Sequence, residues 1–355
     1  MNNDRIQEIL DLMEEARLDY FLISDPQSIA YCTGYYNDPH ERMFVFMISK
    51  HGNHTLFMND LFYLEHDLDV NIVWHKDGQD AIQTIVDEMH FPGRIGIDKN
   101  WASHFLLDLM KKLPDAKYIN ASPCVDLVRM KKDLQEQVLM IESSKINDAV
   151  MEEIIPFIQE GVTEKQLAKK LDELFFNHHS TCYGAIVAFG KNAADPHHEN
   201  DDTLLRKGDC VLIDMGCVYK GYCSDMTRTF FYEGILEEEI KVYEIVKKAN
   251  EAAEAMIKPG VKLSDIDKCA RKVISDEGYG KYFTHRLGHF IGRDVHEYGD
   301  VSSVNEMEVE EGMIFSIEPG IYLEGNFGVR VEDLVMVTKD GCQVLNSFTK
   351  DIYII

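Results

Sequence analysis

Residues Val211–Phe231 read VLIDMGCVYKGYCSDMTRTFF, and the side-chain parity of this stretch decides what the second half of the chain can build. Two apolar strands, Val211–Met215 and Ser224–Phe231, flank a turn at Tyr219–Lys220–Gly221. Side chains alternate across a strand, so Asp214 and Asp225 share one face if the turn centres between Tyr219 and Gly221. A turn one residue longer or shorter would put them on opposite faces. Two acids held together among Ile213, Met215 and Phe230 repel each other and cannot both stay ionised without a counter-charge. A metal ion is the simplest compensation. A pair of exposed hairpin acids is the plain alternative.

The chain has 355 residues, too many for one ordinary core, and two domains are expected, over residues 1–123 and 124–355. Its composition, 45% hydrophobic and 28% charged, is that of a soluble globular protein. A net charge of −26 argues against nucleic acid and anionic membrane as partners, since both would be repelled. It fits a cytoplasmic protein that carries divalent cations. The opening MNNDRIQEIL is polar, without an apolar signal region, and no apolar run is long enough to span a bilayer. The eight cysteines are dispersed without a CxxC pair, which reads as core and edge residues in a reducing compartment. Cys217 and Cys223 flank the central turn, but their spacing fits no zinc pattern.

The first domain reads as α/β. Helices are expected over Asp4–Ala16, Asp80–Met89 and Trp101–Lys112, with strands at Tyr20–Ile23, Met43–Ile48, His54–Met58 and Ile95–Ile97. From Val125 to about Gln159 the periodicity is helical, and Thr163–Asn177 is a second helix with Thr163 and Gln166 as a capping box. Strands then dominate, at Ala185–Phe189, the central hairpin, Met313–Tyr322 and Val329–Thr338. Helices are expected near Glu237–Ile257 and Leu263–Glu277. The second domain is therefore α+β.

Metal-type residues recur after the hairpin. THRLGHFIGRDVHE, Thr284–Glu297, carries His285, His289 and His296, with Gly288 and Gly292 suggesting a loop of close backbone approach and not a zinc-binding helix. Glu318 in SIEPGIY lies in an apolar strand, where Pro319 enforces extension and removes a donor. A buried lone glutamate is costly, so pairing or metal binding is expected. Alternation over Val329–Val337 puts Arg330 and Glu332 on one face, and a turn at Glu324–Gly328 would bring Glu318 roughly opposite Glu332. A surface Glu332–Arg330 pair is the alternative. Asp214, Asp225, His289, Glu318 and Glu332 together offer four carboxylates and one imidazole, whose charge two divalent cations would balance. Oxygen ligands with one nitrogen suit Mn²⁺, Co²⁺ or Zn²⁺, and a pair of such ions sharing a hydroxide is a recurring design for metal-assisted hydrolysis.

In order and spacing, IDMG…SDMTRTF, GHFIG…HE, IEPGIY and GVRVED resemble the dinuclear pita-bread metallopeptidases, the M24 family. That family includes methionine aminopeptidase, aminopeptidase P, prolidase and creatinase. The resemblance implies a pita-bread catalytic domain behind a smaller creatinase-like α/β domain. It also implies that Asp214, Asp225, His289, Glu318 and Glu332 bind two metals, Mn most of all, with Asp225 and Glu332 bridging. The N-terminal DPQSIAYCTGYY and DPHER, together with FGKNAADPHH and SFTKDIYII, resemble the proline-specific branch. By that match His197 is a substrate-side histidine, His285 and His296 line the site, and Arg330 lies beside the metals. One departure is clear: the family commonly shows HExP, whereas this chain has His296–Glu297–Tyr298–Gly299, which puts the following loop in question.

The implied activity is hydrolysis of Xaa-Pro bonds, in dipeptides as a prolidase or in longer peptides as an aminopeptidase P. Glu318 would shuttle the proton, His296 or His197 would stabilise the oxyanion, and His285 would hold the peptide or leaving proline. A dipeptidase must also read a free carboxylate, for which Arg293 and Arg330 are candidates. Arg42, in DPHER, is a third, because family members are commonly homodimers in which a first-domain loop can close over the partner's site. Creatinase-like chemistry and a silent binding module are further alternatives, both opposed by the full set of ligands.

Overall fold

The computed structural model describes residues 1–355, which divide into two compact units, Met1–Arg129 and Met130–Ile355. The first unit runs α1 (Asn3–Glu15), β1 (Tyr20–Ile23), α2 (Pro26–Thr33), β2 (Val45–Ser49), β3 (Thr55–Asn59), β4 (Asn71–His75), α3 (Ala81–Glu88), β5 (Arg94–Ile97), α4 (Ser103–Lys112), β6 (Lys117–Asn120) and α5 (Ser122–Met130). The expected boundary after residue 123 falls in the first turn of α5.

Its six strands form one sheet in the order β4-β3-β2-β1-β5-β6. Every residue of β1, β2 and β3 is buried, and the period-2 alternation sorts them onto two faces. Phe21, Ile23, Phe46 and Ile48 pack with Ile6, Ile9 and Met13 of α1 and Val125 of α5. Tyr20, Leu22, Val45 and Met47 pack instead with Ile82 and Ile85 of α3 and Leu109 of α4. The strands β4 and β6, absent from the sequence reading, are the two sheet edges. Their residues are mostly exposed or half-buried, so they lack the apolar run that marks β1.

The second unit begins with α6 (Leu134–Ile154) and α7 (Glu164–Asn177). The continuous helical stretch expected from Val125 is broken at Lys131–Asp133, where Asp133 caps α6 and forms a capping box with Glu136. Thr163 and Gln166 form the expected box on α7. Then come β7 (Thr181–Cys182), β8 (Ile186–Phe189), β9 (Cys210–Met215), β10 (Cys217–Tyr219), β11 (Tyr222–Cys223) and β12 (Met226–Phe231). Helices α8 (Glu237–Met256) and α9 (Leu263–Asp276) precede β13 (Gly288–His289), β14 (Asp300–Val301), β15 (Ile314–Ile317), β16 (Gly320–Leu323), β17 (Phe327–Arg330), β18 (Asp333–Val337) and β19 (Cys342–Val344).

The antiparallel sheet β12-β9-β8 buries Val187, Phe189, Val211, Ile213 and Phe230 against Leu167, Leu171 and Phe175 of α7. A second apolar cluster joins Met140 of α6 to Tyr222, Ile291, Ile314 and Leu334. All eight cysteines are free thiols, as their dispersion suggested. No helix is long and apolar enough to cross a membrane.

Candidate active site

Asp214 is the penultimate residue of β9, where it pairs with Thr227, and β10 pairs Val218 with Cys223 across the turn. Lys220 and Gly221 form that turn with φ of 49° and 82°. The register is the same on both sides of the interruption, so Asp225 falls opposite Gly216 and shares a face with Asp214.

Glu318 and Glu332 occupy a gap of the same kind. Ile317 pairs with Asp333 on one side and Gly320 with Arg330 on the other, in one common register, which leaves the two glutamates opposite each other. Each of the single strands expected here is therefore two. The cause is local: Pro319 has no N–H to give, Glu318 N donates to Leu287 O at 2.8 Å, and Glu332 N donates to Thr227 O at 3.1 Å. The ladder opens because its backbone groups bond to the His289 segment and to β12 instead.

Gly288 makes the third approach possible, since a Cβ there would lie 1.9 Å from Ser316 O. Ser316 Oγ accepts from His289 N at 2.9 Å and donates to Glu318 Oε1 at 3.1 Å. His289 Nδ1 is 3.2 Å from Phe290 O, and a carbonyl only accepts, so Nδ1 carries the proton. Nε2 then faces Asp225 Oδ2 and Glu318 Oε1, each at 3.6 Å. Ligand atoms of Asp225, His289 and Glu332 all lie within 4.8 Å of one another.

All five expected ligands line one cavity of about 490 Å³. His197, His285, His296 and Arg330 line it too, beside Tyr183, Ile186, Pro196, Val295 and Arg286. Burial raises Asp214, Glu318 (to about 7) and Glu332 (well above the usual range), and repulsion from neighbouring carboxylates, Asp225 in every case, raises them further. Burial opposes a charge on His289, but Asp225 and Glu318 outweigh it and hold the imidazole above its ordinary value. Two permanent cations line the cavity, Arg330 and the exposed Arg286. A donor set of four carboxylates, two buried and two half-buried, with one buried imidazole nitrogen, so short of positive charge, fits divalent metal.

Arg330 is committed within the chain. Its Nη2 donates to Asp214 Oδ2 at 2.7 Å, Nε to Thr227 Oγ1 at 3.0 Å, and Nη1 to Tyr322 Oη at 2.9 Å and Pro196 O at 3.4 Å. Thr227 Oγ1 donates in turn to Glu332 Oε2 at 2.6 Å. His285 is equally occupied: Nδ1 lies 2.7 Å from Arg286 O and must donate, so Nε2 accepts from Tyr322 Oη at 2.8 Å. Burial, then Arg330, pushes His285 down to about 4. Burial, then His289, does the same to His296, whose ring stands edge-on to His289 with centroids 4.2 Å apart.

The loop after His289 is anchored by Glu297, which accepts from buried Lys132 Nζ at 2.9 Å and from Arg293 N at 2.9 Å. Where the related motif has proline, Gly299 adopts a φ of +101°, which a proline ring cannot reach. A second acid–histidine group, Glu164, His198 and Asp201, is a loop clasp: the Glu164 carboxylate accepts from Phe189 N, Asn192 Nδ2, His198 Nε2 and Asp201 N. It holds the loop that carries His197.

Two expected arginines lie elsewhere. Arg293 does not line the cavity; its guanidinium lies over the Tyr222 ring, 5.4 Å from the centroid. Arg42 belongs to the first unit and makes a two-pronged pair with Asp77 at 3.0 and 2.9 Å. Sequence reasoning passed over Tyr183, Thr227, Ser316, Tyr322 and Arg286, although the last four stand inside or beside the quoted motifs.

The family model described as metallopeptidase family M24 matches residues 138–339 and brings every one of these ligand candidates within its span. The chain belongs to metallopeptidase family M24. The creatinase/prolidase N-terminal domain model matches residues 5–131 of the same enzyme. An uncharacterised peptidase of Staphylococcus aureus (strain bovine RF122 / ET3-1) is 35% identical over 98% of this chain and 99% of its own length. A dipeptidase from Pyrococcus horikoshii OT3 superposes with a TM-score of 0.93 at 34% identity, covering 99% of this chain and 100% of its own. A recombinant prolidase from Thermococcus sibiricus reaches 0.94 at 32% identity, covering 100% and 99%. The enzyme is thus a metallopeptidase with a smaller α/β N-terminal domain and an α+β catalytic domain.

Proposed function

We propose that this M24 peptidase hydrolyses the Xaa-Pro bond of dipeptides, as a prolidase. The observation that carries the reading is the convergence of Asp214, Asp225, His289, Glu318 and Glu332 on one cavity walled by His197, His285 and His296. The full-length likeness to a dipeptidase and a prolidase supports it. Those five residues would hold two divalent ions, Mn²⁺ by preference, and the bound metal would supply Lewis acidity and an acidified water.

The chain's own groups do the rest. Glu318 takes the proton of the attacking water at Oε2, the oxygen that Ser316 leaves open, and returns it to the departing proline nitrogen. No ring nitrogen of His197 or His296 is hydrogen-bonded within the chain, and His296 is neutral at pH 7. Each can therefore donate an N–H to the oxyanion of the tetrahedral intermediate. His285 has both nitrogens engaged, so in this reading it positions Arg330 through Tyr322, and Arg330 holds Asp214.

The test strips the enzyme with chelator, reloads it with Mn²⁺ and compares Met-Pro with a tripeptide extended beyond the proline. Cleavage of Met-Pro alone is expected. Preference for the tripeptide would make the enzyme an Xaa-Pro aminopeptidase. Inertness toward both with metal bound would remove the proline-specific reading.

A further inference from the structure

His197 lines the cavity, yet it is exposed and belongs to a segment outside any strand, between β8 and β9. A donor to an oxyanion must be held still, since a displacement of about 1 Å can cost about 10²-fold in rate. The backbone N–H of His197 reaches only Asp195 Oδ1, two residues back, at 3.1 Å. The fixed point of the segment lies on its far side.

The next residue, His198, does not line the cavity; its Nε2 donates to Glu164 Oε2 at 2.7 Å. Glu164 is the first residue of α7, and its side chain is fully buried. The same Oε2 accepts from Asp201 N at 3.0 Å, while Oε1 accepts from Phe189 N and Asn192 Nδ2, each at 2.9 Å. One carboxylate thus gathers donors from the start, the middle and the end of the segment. These four hydrogen bonds and the positive end of a helix offset the cost of burying it. They also occupy its four lone-pair positions, which leaves no room for a cation and makes this acid–histidine group a strut and not a second metal site. Asn200 adds a tie to β8 and its approach: Oδ1 accepts from Val187 N and Nδ2 donates to Ala185 O, both at 2.7 Å. With its neighbour clamped, His197 keeps little freedom beyond its own two torsions.

We propose that the Glu164–His198 pair positions His197 to donate to the oxyanion, acting from behind the cavity wall without touching substrate. The inference rests on the Xaa-Pro reading above and on the donor role given there to His197.

The experiment follows Met-Pro hydrolysis by Mn²⁺-loaded wild type, Glu164→Gln, His198→Ala, His198→Gln and His197→Ala, with each of the first three changes also made in the His197→Ala background. Glu164→Gln sets an NH₂ against one pair of donors, and His198→Ala deletes the strut. Each should lower kcat about 10- to 100-fold with KM and bound metal near wild type, because a misplaced donor costs transition-state binding alone. His198→Gln returns an N–H close to the place of Nε2 and should recover part of the loss. In the His197→Ala background none of the three should cost more, because the group they position is gone. Losses that simply add in that background, loss of metal, or wild-type kcat in both Glu164→Gln and His198→Ala overturns the inference. If Glu164→Gln does not fold, the His198 variants decide by the same criteria. His197→Ala at the wild-type rate removes the donor role and the inference with it, leaving the Xaa-Pro activity standing; wild type inert toward Met-Pro removes all three.

Discussion

Arg228 and Asp333 form an ion pair sealed behind the candidate ligands: Nη2 donates to Oδ1 at 2.7 Å, with the side chains 1% and 0% exposed. Arg228 also donates from Nη1 to Thr227 O and Glu332 O at 2.9 and 2.7 Å, from Nη2 to Phe348 O at 2.8 Å and from Nε to Thr349 O at 3.0 Å. One side chain thereby ties β12, the Glu332 bend and the C-terminal segment together. Arg228→Lys keeps the charge but cannot span these acceptors, and it should cost about 3–5 kcal/mol, as breaking a buried network does. Thermal unfolding of the metal-free protein measures this; a melting temperature equal to wild type would refute the role.

Asp225→Asn and Glu332→Gln each remove a ligand charge while preserving shape. Loss of bound metal and of activity together is expected, with the far-UV spectrum intact. Wild type should melt higher with Mn²⁺ than without, because a ligand bound only by the folded state stabilises it. In the variants that metal-dependent increment should vanish. Metal analysis after gel filtration, read beside the two melts, checks the assignment, and full activity in either variant would sink it.

His296→Ala should lower kcat by about 10²–10³-fold, the usual scale for losing an oxyanion donor, while metal content stays at the wild-type level. Metal lost instead of rate would turn His296 into a ligand and end its proposed role.

His285 and His296 are both pushed down to about 4, against an ordinary value of 6.5. For a depressed histidine the folded state prefers the neutral ring. The associated stability is complete above pH 6.5 and is lost as pH falls through the window from 6.5 towards 4. Following the imidazole C2–H resonances should show these two rings unprotonated at pH 5. A midpoint near 6.5 for either ring would contradict the burial argument.

Much of the candidate site was legible because strands have a period of two. Once Lys220–Gly221 is read as the turn, parity alone puts Asp214 and Asp225 on one face. The Glu324–Gly328 turn likewise sets Glu318 opposite Glu332. Gly288 signalled a close backbone approach, and Ser316 O is what approaches it. The strand breaks were less legible: Pro319 announces one of them, but nothing local marks Val331–Glu332, which opens because Glu332 N bonds to Thr227 O in another hairpin. The α5–α6 break carried a capping-box signal, Asp133 with Glu136, inside what read as one helical run.

The arginines divide the two kinds of information most sharply. Arg42, Arg286, Arg293 and Arg330 are alike as letters, each near a motif, and nothing in their spacing ranks them. Only the fold binds Arg42 to Asp77, turns Arg293 away from the cavity, commits Arg330 to Asp214 and leaves Arg286 open at the mouth. The sequence by itself determined which acids can meet, because a backbone period and a turn length dictate which side chains share a face. Tertiary structure decided the long cations and the tautomer of His285, because a side chain with several free torsions takes its direction from whichever distant acceptor the packing brings within reach.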